Sequence, residues 1–133
     1  MTPARNLADS PVQTEPAEIP EHMAVLLLEA GQRFLLKIEE AISCGDPRPK
    51  DHFIKKVLAI IEELHRRLNH EQGGELVDNL IWLYAWWRRE ILEAGEKGNV
   101  ERLSRIRAQM GDIRQAWEFV LFRGEGMSES PEL

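Results

Sequence analysis

The chain has 133 residues, with 17 Lys and Arg against 23 Asp and Glu, which gives a formal net charge of −6 at pH 7. This length suits one domain that buries its own core without a metal or a disulfide. The acidic balance argues against a protein that works mainly by holding nucleic acid or anionic lipid, because both attract positive charge. The single Cys44 excludes an internal disulfide and a Cys-rich zinc site. The longest apolar run, Met23–Leu28, is far below the roughly 20 residues of a membrane span, and no secretory signal precedes it. We therefore expect a cytoplasmic protein.

Composition divides the chain into three parts. Residues 1–19 carry Pro3, Pro11 and Pro16 and few large apolar side chains, which predicts a flexible N-terminal arm. Residues 20–123 show helical periodicity throughout, without strand-like alternation. Residues 124–133 are rich in Gly, Glu and Ser and are predicted to form a short disordered tail.

Four helices are predicted in the central part: about Pro20–Ser43, Lys50–Leu68, Glu75–Lys97 and Val100–Phe122. The connections between them are short and contain Gly or Pro. Each helix has an apolar stripe at spacings of three and four, which we expect to form the core. In chain order, the stripes are Met23, Leu27, Ala30, Phe34, Ile38 and Ala41; Phe53, Val57, Ile60, Ile61, Leu64 and Leu68; Leu76, Leu80, Leu83, Trp87 and Ile91; and Leu103, Ile106, Met110, Ile113, Trp117 and Val120. The pattern predicts an all-α fold, an antiparallel up-down four-helix bundle.

Helix 3 carries more apolar residues than one core stripe needs. Trp82 and Trp86 lie four residues apart, so we expect them to stack on one side of the helix, away from the core stripe. Because aromatic residues supply much of the binding energy of protein interfaces, this pair predicts a partner-binding surface. Further surplus apolar residues are Ile81, Ala85 and Leu92 on the other flank of helix 3, Leu58 on helix 2, and Val25 and Leu36 on helix 1. Packing against a neighbouring helix remains an equal alternative for Ile81 and Leu92, since real core stripes are wide.

No catalytic or metal-binding constellation is recognisable. Glu62 and His65 form one Glu-x-x-His, whereas a di-iron bundle needs two such pairs facing inward. The helical wheel turns Glu62 away from the core stripe, and Cys44 is a lone loop thiol without a partner base. We therefore expect a protein that is not an enzyme and holds no cofactor or metal.

Six arginines on helices 3 and 4 could form a nucleic-acid stripe. The net charge instead favours a solvated face, with ion pairs to Glu90, Glu101 or Asp112. These arginines are Arg88, Arg89, Arg102, Arg105, Arg107 and Arg114.

Helices 2 to 4 resemble the flagellar secretion chaperone FliS family. The resemblance rests first on Ala59-Ile60-Ile61-Glu62-Glu63-Leu64, and then on Leu68-Asn69-x-Glu71-x-Gly73-Gly74-Glu75-Leu76 followed by Asn79-Leu80-x-x-Leu83-Tyr84. Arg89, Glu93-Ala94, Val100-Glu101 and Ala116-Trp117 continue it at the family's spacing. The chain is similar to a divergent member, because Ile81 and Trp82 stand where the family usually has polar residues and residues 1–19 contain no Tyr.

This resemblance implies a four-helix bundle that acts as a cytoplasmic chaperone. Its client would be the C-terminal helical segment of flagellin, which it would keep from polymerising before export. The resemblance also implies help in delivery to the export gate of the flagellar type III system.

Two alternatives from other classes stay open at this point. A regulatory adaptor on the same bundle would bind another flagellar protein, such as the anti-sigma factor. A metal or cofactor bundle would use Glu62 and His65.

Overall fold

The computed structural model describes the backbone of residues 20–68 and 74–129 and the side chains of residues 22–68 and 74–121. It contains four helices, which are α1 (Pro20–Cys44), α2 (Pro47–Arg66), α3 (Gly74–Lys97) and α4 (Val100–Glu129). No strand occurs in these ranges. The predicted all-α fold is confirmed, whereas the predicted arm, residues 1–19, lies outside the described residues.

The helices form a ring in which each packs against the next and α4 packs against α1. Ion pairs fix the direction of α4 on α1, because Glu39 contacts Arg107 while Glu29, earlier in α1, contacts Arg114, later in α4. The start of α2 meets the end of α3, where the Lys50 ammonium donates to the Gly95 carbonyl at 3.1 Å. These contacts confirm an antiparallel up-down bundle.

Two glycines with positive φ make the tight turns after α1 and α3. Gly45 has φ 73° and Gly98 has φ 68°, a left-handed conformation that glycine adopts without a steric penalty. After α3, the Gly98 N–H donates to the Gly95 carbonyl and the Asn99 N–H to the Ala94 carbonyl, a Schellman motif. The same pair of hydrogen bonds closes α1. These caps end the helices abruptly, so the next helix can turn back along the previous one.

Several helix ends differ from the sequence prediction. α2 begins at Pro47 rather than about Lys50, because the Asp46 carboxylate accepts from the Arg48 N–H at 3.2 Å and Pro47 occupies the first helical position. α2 ends at Arg66, two residues before the predicted end.

α4 continues to Glu129, whereas the prediction ended it at about Phe122 and began a disordered tail at residue 124. The prediction placed Gly124 and Gly126 in this tail because of its composition. Glycine inside a helix costs only about 1 kcal/mol relative to alanine, which does not forbid the helix from continuing.

One core joins all four helices. Its fully buried centre includes Trp87, whose indole N–H donates to Gln109 Oε1 at 2.8 Å, and Tyr84, whose ring lies 5.6 Å from that of Trp87. The other buried apolar residues are Ala24, Leu28, Leu35, Ile38, Ala41, Val57, Ile61, Leu64, Leu80, Ile91, Ala94, Leu103, Ile106 and Met110. The predicted stripes of α2 and the first half of α4 are thus largely confirmed.

The first four residues of the predicted α1 stripe are one residue out of register, whereas its last two, Ile38 and Ala41, are buried as predicted. The buried line runs through Ala24, Leu28, Gly31 and Leu35, while the predicted Met23, Leu27, Ala30 and Phe34 are half-buried. The reason is that α1 packs against α2 and α4 together, so its buried face is centred between them. The predicted line is the α2-facing edge, where Phe34 stacks on Phe53 at 5.8 Å.

Candidate partner-binding surface

The predicted stacking of Trp82 and Trp86 on α3 is confirmed. Their ring centroids are 6.4 Å apart and the rings are almost parallel, with an interplanar angle of 7°. Trp82 is 64% exposed, whereas Trp86 is half-buried and packs against the core. The pair therefore forms an aromatic surface in which Trp86 packs against the core and Trp82 stacks on Trp86.

Trp82 points almost directly away from the core. At about 100° per residue, it lies opposite the middle of the buried α3 line, which runs through Leu80, Tyr84, Trp87 and Ile91. It therefore occupies the outer crest of α3 rather than a groove between helices.

The other surplus residues of α3 lie toward α2. Ala85 is exposed, Leu92 is 45% exposed and Ile81 is half-buried. They leave an apolar strip beside the tryptophan pair, on the flank that was predicted.

The remaining predicted binding residues do not join this surface. Leu58 is half-buried and packs against the core, and Val25 is half-buried on α1. Leu36 is 42% exposed and lines a shallow depression between α1 and α4. The rest of this depression is lined by polar residues, namely Glu29, Gln32, Arg33, Arg107 and Arg114. Since α1 and α3 are not neighbours in the ring, the predicted residues form separate patches.

Two apolar side chains that were predicted to lie in the core are exposed, one near the start of α3 and one near the end of the described part of α4. Leu76 is 61% exposed and Val120 is 48% exposed, so their prediction as core residues is wrong. Leu76 lies eleven residues before Trp87, and Val120 eleven residues after Gln109, to which Trp87 is hydrogen-bonded. Eleven residues are about three helical turns, so in the antiparallel pair the two side chains lie at about the same level along α3 and α4. Their exposure means that the core does not extend to them.

α4 also contains an unsatisfied donor. The indole N–H of Trp117 is buried and has no hydrogen-bond partner among the described residues, although Trp117 packs against the core as predicted. Buried polar groups are rarely left without a partner, because the missing hydrogen bond with water costs free energy.

Most of the arginines that could have formed a basic stripe are paired. Arg102 donates to both oxygens of Glu90 at 2.9 Å and to Glu93 at 2.7 Å, and Arg105 contacts Glu101 at 3.4 Å. Hydrogen bonds from Arg102, and then from Lys97, hold the pKa of the Glu93 carboxyl below its usual range. Asp112, the third predicted partner, forms no ion pair with any residue that the structure describes. Arg88 and Arg89 are exposed and have no ion pair among the described residues.

Glu62 and His65 are both exposed on α2, which is the orientation that the helical wheel predicted for Glu62. Within residues 20–68 and 74–129, no group of three or more metal-ligating side chains lies together. No helix in these ranges is long and apolar enough to cross a bilayer.

The fold and the surface define the chain as a small helical bundle that exposes stacked aromatic side chains on one helix. Residues 7–122 match the family described as flagellar protein FliS, so the chain belongs to the FliS family. It is 25% identical to the flagellar secretion chaperone FliS of Salmonella typhimurium over 100 residues, 74% of each chain. It is 27% identical to FliSB of Pseudomonas aeruginosa over 99 residues, 74% of this chain and 79% of the relative. The FliS of Vibrio cholerae is 30% identical over 98 residues, 73% of this chain and 72% of the relative.

The residues that carried the family resemblance have different positions in the fold. Tyr84 is buried, Leu68 and Leu83 are half-buried against the core, and Gly74 begins α3 with a φ of 93°. The exposed signature residues are Glu75, Asn79 and Arg89, while Asn69 and Gly73 lie outside the described residues. Part of the signature therefore shapes the core, and another part lies on the outer surface of α3.

Sequence reasoning missed some exposed apolar side chains. Leu26 on α1 and Phe119 on α4 are more than half exposed but were assigned to neither the core nor a binding surface. The sequence feature that could have identified them as exposed is their position on the helical wheel, where each lies outside the core stripe of its helix.

Proposed function

We propose that this chain is a flagellar secretion chaperone that binds the C-terminal helical segment of flagellin in the cytoplasm. Binding covers the apolar side of that segment, which keeps flagellin from polymerising and holds it ready for the flagellar type III export system. The chain acts by binding alone and catalyses no reaction. Membership of the FliS family and the names of the curated relatives support this role.

The exposed Trp82–Trp86 stack is the observation that carries the proposal. A large aromatic surface in water loses free energy when it is covered, and tryptophan is among the commonest hot-spot residues of interfaces. Trp86 is anchored in the bundle, so it holds Trp82 in place before the client arrives. Such pre-organisation lowers the entropic cost of binding. The client segment is the part that becomes ordered, since a disordered segment folds as it binds.

The direct test mixes the purified chain with the C-terminal segment of flagellin from the same organism. We expect a one-to-one complex in size-exclusion chromatography with light scattering. Failure of the two to co-elute would refute the flagellin assignment. A parallel pull-down that offers the anti-sigma factor and flagellin together shows which of them is bound, and capture of the anti-sigma factor alone would favour the adaptor function.

Trp82→Ala tests the surface. We expect it to weaken client binding about thirtyfold or more, because truncating a hot-spot tryptophan costs about 2 kcal/mol or more. Helicity by circular dichroism should not change, because Trp82 is mostly outside the core. Adding Trp86→Ala should weaken binding further and lower the stability, since Trp86 packs against the core.

The matched control is Leu26→Ala, which removes another exposed apolar side chain from the outer side of α1. It should leave the affinity unchanged. If Trp82→Ala binds the client as well as wild type does, the tryptophan surface is not the binding site. If the double variant unfolds completely, the pair belongs to the core and the surface assignment is wrong.

A further inference from the structure

The outer face of α3 carries a polar group at each end of its apolar centre. Asp78, Trp82, Ala85 and Arg89 follow each other at spacings of four, three and four residues, so they lie on one face of the helix. All four are exposed. At 1.5 Å per residue, Asp78 and Arg89 are about 16 Å apart along the axis. We call these four residues the α3 outer face.

The two charges on this face are available to a partner. Neither Asp78 nor Arg89 forms a hydrogen bond or an ion pair through its side chain within the part of the chain that the structure describes. Glu93 lies one turn beyond Arg89, but its carboxylate is held by Arg102 at 2.7 Å and by Lys97 at 3.1 Å. Because the Glu93 carboxylate is already paired with Arg102 and Lys97, Glu93 does not neutralise the charge of Arg89.

The surroundings strengthen the charge at each end. Glu75, one turn before Asp78, is exposed and adds negative charge at the start of the face. Arg88 is exposed beside Arg89 and adds positive charge at its other end. Glu90 and Glu93, the first acidic groups after Arg89, are paired with Arg102. Glu96 lies about 10 Å beyond Arg89, outside the range of a short contact with the same ligand. From the start of α3 towards its end, the α3 outer face is thus negatively charged, then apolar, then positively charged.

We propose that the α3 outer face binds one amphipathic helix of its protein client antiparallel to α3. An acidic side chain in the first turn of the client helix pairs with Arg89, and a basic side chain in its last turn pairs with Asp78. Apolar side chains between them cover Trp82, and the small Ala85 allows close approach. This orientation rests on the proposed chaperone function and adds the direction and the charge pattern of the client.

The direction follows from the physics of helix ends. Acidic side chains stabilise the first turn of a helix and basic ones the last turn, because the helix dipole is positive at its N-terminus. A client helix with this ordinary pattern meets complementary charges only when it runs antiparallel to α3. In the parallel direction its acidic end would face Asp78 and its basic end would face Arg89, which gives two repulsive contacts. The face therefore selects direction by repulsion as well as by attraction.

Charge reversal tests the pairing. We expect Arg89→Glu to weaken binding of the flagellin C-terminal segment about fivefold, since an exposed ion pair contributes up to about 1 kcal/mol. Replacing the facing acidic residue of the segment by Lys should restore the affinity to this variant. Arg48→Glu makes the same charge change at the start of α2, on an exposed residue away from this face, and should bind as wild type does.

Paramagnetic labels test the direction. In a Cys44→Ser background, a nitroxide is attached at Glu75→Cys in one variant and at Glu96→Cys in another, and an isotope-labelled client segment is added. The label at position 96 should broaden the resonances of the N-terminal end of the bound helix, and the label at position 75 those of its C-terminal end.

The outcomes separate the two proposals. Broadening in the opposite order, or an Arg89→Glu variant that binds as wild type does, overturns the antiparallel arrangement while Trp82→Ala still weakens binding. If Trp82→Ala also leaves the affinity unchanged, the binding surface of the proposed function is wrong as well.

Discussion

Tyr84 is the chain's one tyrosine, and its surroundings make it a sensitive reporter of the core. It is 2% exposed beside the fully buried Trp87, and burial raises the pKa of its phenol to about 12, from an ordinary value of 10.0. The low-dielectric surroundings disfavour the charged phenolate, so the folded state holds the proton longer than the unfolded chain does.

This difference predicts a loss of stability at alkaline pH. Between pH 10 and 12 the unfolded chain has lost the Tyr84 proton while the folded chain retains it, so rising pH favours unfolding. We expect the Tyr84 contribution to lower the free energy of unfolding by about 1.4 kcal/mol per pH unit in this window, and to be absent below it. Urea titrations at a series of pH values measure the effect. Tyr84→Phe is the control, and an equal decline in that variant would assign the loss to other groups.

The four tryptophans show how far residue type alone predicts position. Trp87 is fully buried and Trp117 packs against the core, as their places in the apolar stripes predict, and Trp82 lies outside, as its offset from the stripe predicts. Trp86 is intermediate, because a side chain of that size reaches from the flank of α3 back to the core. The Trp117 N–H has no hydrogen-bond partner within the described ranges, and this could not be predicted, since such a partner depends on atoms from other helices.

At the scale of helices, α1 and α4 are joined by a partly buried ion pair. Glu39 is 7% exposed, and both of its oxygens accept from Arg107, at 2.9 and 3.2 Å. The adjacent Gln32 amide donates to the Arg107 carbonyl at 3.2 Å and accepts from Arg114 at 3.1 Å. The pairing raises the pKa of Arg107, and it fixes the register of the two helices.

Arg107→Ala is therefore expected to destabilise the bundle strongly. It leaves the Glu39 carboxylate buried without a partner, which we expect to cost about 2–4 kcal/mol, because breaking a buried pair is costly and Arg107 is partly exposed. Urea unfolding followed by circular dichroism measures the change.

Arg105→Ala is the matched control for this prediction. It breaks the exposed pair with Glu101, 3.4 Å apart, and should cost less than about 1 kcal/mol. A loss in Arg107→Ala no larger than that in Arg105→Ala would contradict the expected cost of breaking the Glu39–Arg107 pair. The double variant Glu39→Leu with Arg107→Leu should recover much of the lost stability, since it removes both charges.

Helix type and number follow from sequence periodicity, but register and ends depend on neighbours. The α1 stripe was centred on Leu27 and Phe34, because a wheel of one helix contains no information on how many helices surround it. The buried line through Leu28 and Leu35 follows from the contacts of α1 with both α2 and α4. The start of α2 was predictable in principle, since Asp46 followed by Pro47 is a recognised N-terminal signal.

In the whole molecule, packing is unequal around the ring. α1 packs extensively along both of its neighbours, whereas α3 packs more sparsely against α2 and α4. Leu76 near the start of α3 and Val120 on α4 are exposed. The sequence predicted the apolar character of these two positions but not their exposure, because exposure depends on how the neighbouring helices pack. The same limit applies to the candidate surface, where the sequence predicted the Trp82–Trp86 stack but not the separation of Leu36 from it.

Unequal packing predicts unequal local stability. Segments with few buried contacts open without global unfolding, so the amides of residues 78–83 on α3 should exchange with deuterium at least about tenfold faster than those of residues 32–41 on α1. Amides in the first turn of α3 are left out of the comparison, since helix starts lack internal hydrogen bonds in any protein. Mass spectrometry of the free chain measures both segments in one experiment.

Adding the flagellin C-terminal segment should slow exchange in residues 78–83 more than in residues 32–41, because a ligand bound to α3 stabilises that helix against local opening. In the Trp82→Ala variant without the segment, exchange in α1 should match wild type, which shows that the core is intact. Equal exchange rates in the two segments of the free chain would mean that the bundle opens as one unit, and the unequal-packing account would then be wrong.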